Sequence, residues 1–462
     1  MKKPDFERFF NEMSQLLDGE QISRNETVLQ NHSHDESYHT PKRPEAVLFP
    51  KTTEEVQQIV RSAIRFSIPL IPFGMGTSLE GHVVPQEPSV TIDFSLMNRI
   101  LEVRERDFFV KVQPGVTRLQ LNKELKKYGL FFPVDPGADA TLGGMAATNA
   151  SGTLSVRYGV MRDQVQDLEI VLPDASVIHT GNLAAKSSSG YHLTGLFVGS
   201  EGTLGLITEL CLKVYGIPEQ IIAGRAVFPD VEHAVDAVTD VIRAGIPIAR
   251  IELLDALSIR QVNRYMNTEF PESATLFFEF HGNEAGLKQD VQFTNEIFID
   301  HHCTKFEFEK DNAGKNKLWE ARHNIVFAYG KGFPGKKLMI TDVCVPISSL
   351  TKAVKHARDL VEQFQLSAGI VGHVGDGNFH VLIMLDRDDP VQLKKAEEVN
   401  EQIVNFALTC GGTSTGEHGV GIGKRKYQRQ EHGHALTIME RIKELLDPNH
   451  LFNPNKVFET DR

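Results

Sequence analysis

A chain of 462 residues is long enough for two or three domains, and an apolar content of 41% is enough to give them cores. The net charge of −12 and a pI of about 5.9 exclude a nucleic-acid binder built on a basic face, while leaving room for a few cationic side chains in a site for a small anion. Four cysteines, none in a C-x-x-C pair, exclude a zinc ribbon, a cysteine-held iron–sulfur cluster and a disulfide scaffold, and they fit a reducing compartment.

The first residues turn acidic soon after Met1-Lys2-Lys3. They lack both the apolar core of a signal peptide and the acid-free, Arg-rich character of a transit peptide. No stretch approaches the run of about 18 apolar residues that a membrane span requires. The expectation is a cytoplasmic protein with no transmembrane segment, at most peripheral to a membrane.

In chain order, residues 1–45 read as a helix over 5–17 followed by a polar connector over 32–44. Residues 46–218 are rich in glycine and carry short β-like runs at 90–93, 108–112 and 168–172, with helical patterns such as 54–65 between them, so they read as one α+β domain. The texture changes near Ile217-Pro218. Over 219–425, strands at 248–254 and 276–280 alternate with amphipathic helices at 317–328 and 350–364, and Val231, Ala234, Val235, Val238 and Ile242 form another helical stripe. This is the pattern of an α/β domain with a mixed or antiparallel sheet. The remaining residues, 426–462, hold a helix over 435–446 ended by Asp447-Pro448 and are expected to pack back near the first domain.

Three glycine-rich segments lie in the first large domain. In Gly74-Met75-Gly76-Thr77-Ser78 the glycines free the backbone for positive φ, so that successive N–H groups and the two hydroxyls can converge on an anion. A plain tight turn is the alternative. The long run of small residues from Pro133 to Gly152 and a third segment from Phe197 to Ile207 favour a cofactor, since segments so low in bulk are poor core material but can lie along a flat ligand. The common nucleotide motifs are absent: Leu79 stands where a third glycine of G-x-G-x-x-G belongs, and no G-x-x-x-x-G-K-[ST] occurs.

Two further loops carry histidines. His373 and His380 are separated by Gly375, Asp376 and Gly377, which argues for a turn rather than a helix, and Glu417-His418 lies between Gly416 and Gly419. Two His and a carboxylate with open positions make a catalytic ligand set for zinc or another divalent ion; a pair of hydrogen-bonded histidines is the plainer alternative. Trp319 and Arg322 share a face of a predicted helix, where a guanidinium can hold a carboxylate by two parallel bonds, or can simply face solvent.

These segments, together with 157–163, Leu318-Trp319-Glu320-Ala321-Arg322-His323-Asn324, Thr341-Asp342-Val343-Cys344, 371–380 and 415–421, resemble the PCMH-type flavoenzymes of the vanillyl-alcohol oxidase superfamily over essentially the whole chain. Within it they are most similar to the cytochrome-linked D-lactate dehydrogenases and the flavoprotein subunit of glycolate oxidase. The resemblance implies an α+β fold, a PCMH-type FAD-binding domain followed by a substrate domain and a C-terminal helical segment. It implies FAD contacted around the pyrophosphate by Pro72, Gly74, Met75, Gly76, Thr77, Ser78 and Leu79. Pro136, Gly137, Thr141, Gly143, Gly144, Thr148, Ser151 and Gly152 would run along the cofactor, joined by Tyr158, Glu201, Gly202 and Ile207. No histidine precedes Glu80 in the first loop, so the FAD is expected to be non-covalent, with His82 the residue to suspect otherwise.

The same resemblance implies a divalent metal, zinc or manganese, on His373, His380 and Glu417, with His418 as the base and Arg322 facing the substrate carboxylate. The implied reaction is oxidation of D-lactate to pyruvate, passing electrons to a cytochrome, a quinone or an electron-transfer protein. Two related readings stand beside it. A glycolate oxidase subunit would need an iron–sulfur partner. A D-2-hydroxyglutarate dehydrogenase would need a further basic residue, which Ile340-Thr341 does not offer. A flavin-free metal hydrolase or binding protein is the reading from a different class.

Overall fold

The helix Thr53–Phe66 begins where the Thr52 side chain accepts the Glu55 N–H at 3.2 Å, and it ends at Ser67 in the left-handed region, φ 58°. Val56, Ile59, Val60 and Ala63 recur at helical spacing and are fully buried, packing with Phe9 and Met13 of the helix Phe6–Leu16. In the computed structural model, which describes residues 3–386 and 388–458, this pair belongs to the first of two compact units. That unit is assembled from Met1–Ser151, Gly159–Ile217 and Glu417–Arg462; the second takes Gly152–Tyr158 and Pro218–Gly416.

The first unit holds two main sheets. One runs Ile22–Ser23, Ala46–Leu48, Val90–Asp93, Leu70–Phe73 in space, with the last three strands parallel. The helix Thr53–Phe66 is the crossover between two of them. The other sheet is antiparallel and ordered Ile100–Arg104, Phe109–Val112, Leu206–Lys213, Val165–Val171, Val177–His179. The polar connector over 32–44 adds neither helix nor strand. Its His32 is nonetheless buried, with Nε2 2.9 Å from Asp93.

The second unit is built on one antiparallel sheet, ordered Lys305–Phe308, Gln220–Phe228, Ala274–Gly282, Ile248–Leu254, Ser367–Gly372, Asn378–Leu385, Lys337–Ile340, with Val343–Cys344 pairing to Asn378–Leu385. Helices such as Val231–Arg243 and Leu350–Gln363 bury their apolar stripes. The single helix expected over 317–328 is two, Asn312–His323 and Ile325–Gly332. Asn324 departs from helical geometry at φ −84°, ψ 8°, and its carbonyl starts the second helix by accepting from the Ala328 N–H.

The C-terminal helix Ala435–Leu446 anchors the first unit through one buried cation. Lys443 donates to the Asp447 carboxylate at 2.5 Å and to the carbonyls of Thr203 and Phe452 at 2.7 and 2.9 Å. Burial pulls its ammonium below the ordinary lysine value, and Asp447 opposes that pull. Lys443→Met would leave the buried Asp447 carboxylate without its cation, held only by the Leu451 and Phe452 N–H groups, a loss of about 3–5 kcal/mol. The first unit's melting transition should fall by roughly 10 °C; a transition at the parent's temperature would show that this lysine does not anchor the tail.

Candidate functional site

In the first unit the loop Gly74 to Leu79 leaves the carboxyl end of the parallel strand Leu70–Phe73, the place where open α/β sheets receive ligands. No N–H from Met75 to Leu79 has an acceptor among the described residues, and the Met75 side chain is exposed. A row of unpaired backbone donors in a glycine-rich turn is the equipment of an anion cradle. The other two segments close on it. Gly199 and Glu201 donate their N–H groups to the carbonyls of Ala146 and Ala147 at 2.9 and 2.8 Å. Gly202, at φ +68°, lies so close to the Pro72 ring that a Cβ would overlap it. Thr141 caps the helix Leu142–Thr148, in which Gly143 and Gly144 sit, while Thr148 bonds back to the Gly144 carbonyl at 3.2 Å. Pro136 and Gly137 lie on the irregular stretch just before that helix, Gly137 being exposed. Ile207 is in the strand Leu206–Lys213, opposite Ile170.

The loop that begins at Glu417 is also part of this unit. Ser151 Oγ donates to the Glu417 carboxylate, which joins a residue expected along the cofactor to one expected on the metal. Glu201 accepts the N–H groups of Val420 and Gly421 at 2.7 and 2.8 Å, with His82 Nε2 3.3 Å from the same carboxylate. Burial would raise the Glu201 carboxyl, but His82 and the two N–H groups outweigh it and hold it below its ordinary value. Burial likewise pulls His82 down, and Glu201 more than restores it. His82 thus stands as the buried partner of the Glu201 carboxylate. The backbone of Glu80 receives Ile422 and Gly423 N–H at 2.8 and 3.2 Å, and its carboxylate lies 3.9 Å from both His418 Nδ1 and Lys424 Nζ.

The second unit places His373 at the end of the strand Ser367–Gly372 and His380 within Asn378–Leu385. The turn between them needs Gly377, at φ +88°, where a Cβ would meet the Val345 carbonyl. The two rings lie 5.6 Å apart and almost perpendicular. His380 Nδ1 is 3.1 Å from the Thr341 carbonyl, and His373 Nδ1 is 2.7 Å from Glu252 Oε1. Both partners are oxygen acceptors, so each Nδ1 is the nitrogen that carries the proton in the neutral ring, which makes Nε2 the atom able to bind a divalent cation. The other oxygen of Glu252 accepts Arg322 Nε at 2.8 Å. Burial pushes the Glu252 carboxyl up, and His373 with Arg322 brings it below its usual range. Asp342, fully buried, accepts from Asn378 and Thr415 at 2.8 Å each and so braces the strand that carries His380.

Gly152 and Tyr158, expected at the cofactor, lie on the short excursion that joins the second unit. There Tyr158 Oη is 2.9 Å from His281 Nδ1, His281 Nε2 is 2.6 Å from Glu279, and Glu279 accepts the Trp319 indole N–H at 2.6 Å. Glu80, Glu252 and Glu279 were not among the expected site residues. A signal existed for the last two: each is a lone acid in a run otherwise apolar enough to be a buried strand, Ile251 to Leu254 and Leu276 to Phe280.

Residues 44–181 match the FAD binding domain and 217–457 match the FAD linked oxidases, C-terminal domain. The chain is 43% identical over 458 residues to a probable mitochondrial D-lactate dehydrogenase of Danio rerio, covering 98% of this chain and 92% of that one. It is 43% identical over 415 residues to the mitochondrial D-lactate dehydrogenase (cytochrome) of Arabidopsis thaliana, covering 90% and 73%. It is 33% identical over 435 residues to the glycolate oxidase subunit GlcD of Bacillus subtilis (strain 168), covering 93% and 92%. The two more similar relatives are mitochondrial by name, which overturns the expectation of a cytoplasmic location. No helix among the described residues is long and apolar enough to cross a membrane. With an open row of backbone donors where a pyrophosphate is expected and both domains of the family matched in order, the chain belongs to the FAD-linked oxidases, and FAD is its cofactor.

Proposed function

We propose that this oxidoreductase is a D-2-hydroxyacid dehydrogenase whose substrate is D-lactate and whose product is pyruvate. The observation that carries the reading is the 43% identity, over 458 residues, to a relative named for that activity. The side chains agree with it. Arg322 Nε is taken by Glu252, while its Nη atoms have no acceptor among the described residues, so an end-on fork is left for a substrate carboxylate. His373 and His380 offer Nε2 to a divalent cation, and Glu417 is the proposed carboxylate ligand. His418 takes the proton of the substrate hydroxyl as general base. Bound FAD supplies hydride acceptance at its N5, and a bound divalent cation supplies Lewis acidity toward the substrate's hydroxyl and carboxylate oxygens. An electron acceptor then reoxidises the enzyme; the glycolate oxidase likeness favours as second reading a subunit that hands electrons to an iron–sulfur partner.

His82 already serves Glu201, so acid precipitation of the holoenzyme should release the flavin into the supernatant. Flavin retained in the pellet would contradict non-covalent binding. Replacing His380 with Ala removes one imidazole ligand. Bound metal and turnover should both drop while the flavin spectrum persists, and normal turnover in a variant shown to be metal-free would refute the cation's role. Anaerobic stopped-flow reduction by D-lactate isolates the half-reaction from any acceptor. Arg322→Lys keeps the charge and loses the fork, so the lactate concentration for half-maximal rate should rise with much of the limiting rate kept. His418→Ala should slow the limiting rate by about 10² to 10⁴. Reduction as fast as the parent's would remove His418 as the base, and no reduction of the parent by D-lactate, beside fast reduction by glycolate, would select the second reading.

A further inference from the structure

The proposed chemistry asks two things of the second unit: a His373 that presents Nε2, and an Arg322 that presents two parallel N–H donors. One side chain governs both. Glu252 is fully buried on the strand Ile248–Leu254, with one oxygen 2.7 Å from His373 Nδ1 and the other 2.8 Å from Arg322 Nε. An ionised carboxylate only accepts, so each oxygen dictates what it faces. On one side the imidazole proton must sit on Nδ1. On the other, the guanidinium is held by its Nε, the one donor whose use leaves the Nη1–Nη2 edge whole.

We propose that Glu252 is the positioning residue of this site, fixing the tautomer of His373 and the presentation of Arg322 together. The proposal rests on the function put forward above and extends it to a residue that touches neither substrate nor cation. It ties two recognition events to one carboxylate. The strand, the helix Asn312–His323 and the turn after Ser367–Gly372 each bring one partner, so the separation between the imidazole and the fork is set by the two oxygens of a single group. A buried ion pair kept only for packing would stabilise the fold without regard to which imidazole nitrogen is protonated.

Glu252→Gln separates the two cases because an amide has one accepting and one donating end. If its oxygen faces Arg322, its N–H₂ faces His373 Nδ1 and drives the imidazole proton to Nε2, where it blocks a cation. If the amide is turned, its N–H₂ faces the Arg322 N–H, donor against donor. The test is Mn²⁺ binding, followed by electron paramagnetic resonance on holoenzyme stripped by a chelator, with flavin absorbance reporting the fold. The parent should bind and His380→Ala should not; Glu252→Gln should bind about 10- to 100-fold more weakly with its flavin intact. Equal binding by the parent and Glu252→Gln overturns the positioning role and leaves the cation reading standing. A parent that binds no Mn²⁺ overturns both. If the variant loses its flavin, the metal-free parent labelled with ¹⁵N-histidine answers instead: His373 protonated at Nδ1 supports the proposal, and protonation at Nε2 overturns it.

Discussion

The first unit depends on a carboxylate that is almost wholly buried. Glu201 draws together three places far apart in the chain: His82 after the glycine turn, its own segment against Ala147, and the loop at Val420 and Gly421. An unpaired buried charge would cost several kcal/mol, and the two backbone N–H groups and the His82 imidazole offset that cost here. Asn453 adds a second tie, donating to the carbonyls of His82 and Glu201 at 3.1 and 2.8 Å. The position of His418 is a by-product of this clamp, since it stands two residues before Val420. As the proposed base, it has to be held in place before its pKa matters.

Both units use one device. Glu201 and Glu252 are buried acids whose oxygens are each engaged by partners from distant segments, and neither is a surface ion pair of small consequence. Such groups convert a low-dielectric interior into directional restraint: the partners cannot drift without stranding a charge. This suits an enzyme that must place donors and acceptors to within a fraction of an ångström around a small, flexible substrate.

Much of the fold was legible because local patterns are strong. The strands Val90–Asp93 and Ile248–Leu254 and the helix Ala435–Leu446 begin and end where alternation, helical periodicity and Asp447-Pro448 put them. The helix break at Asn324 was not, because Leu318 to Ala328 keeps an apolar periodicity across it and only the backbone angles mark the interruption. The glycine segments and histidine loops were legible as chemistry, since low bulk and paired imidazoles are visible in composition. Their supports were not. The partners of Glu80, Glu201 and Glu252 come from segments at least 70 residues away, as side chains or as backbone N–H groups, and neither leaves a mark in the local pattern. Within the polar connector over 32–44, the burial of His32 against Asp93 is likewise not marked in the local pattern.

The chain passes between the two units four times, after Ser151, Tyr158, Ile217 and Gly416. Neither unit is therefore a continuous stretch of sequence. The second needs the seven-residue excursion Gly152–Tyr158, which is anchored by Arg157 on the carbonyls of Pro247 and His281. The first needs Glu417, Lys443 and Asn453, all of which emerge from the ribosome only after the whole second unit has been made. During synthesis the nascent first unit must wait, without its closing helix or its clamp on Val420, while the roughly two hundred residues of the second unit are produced. The second unit can mature first, because its excursion precedes it in the chain. The portion translated earliest is thus the last whose contacts can be completed, and until then its apolar interior lacks the segments that close it.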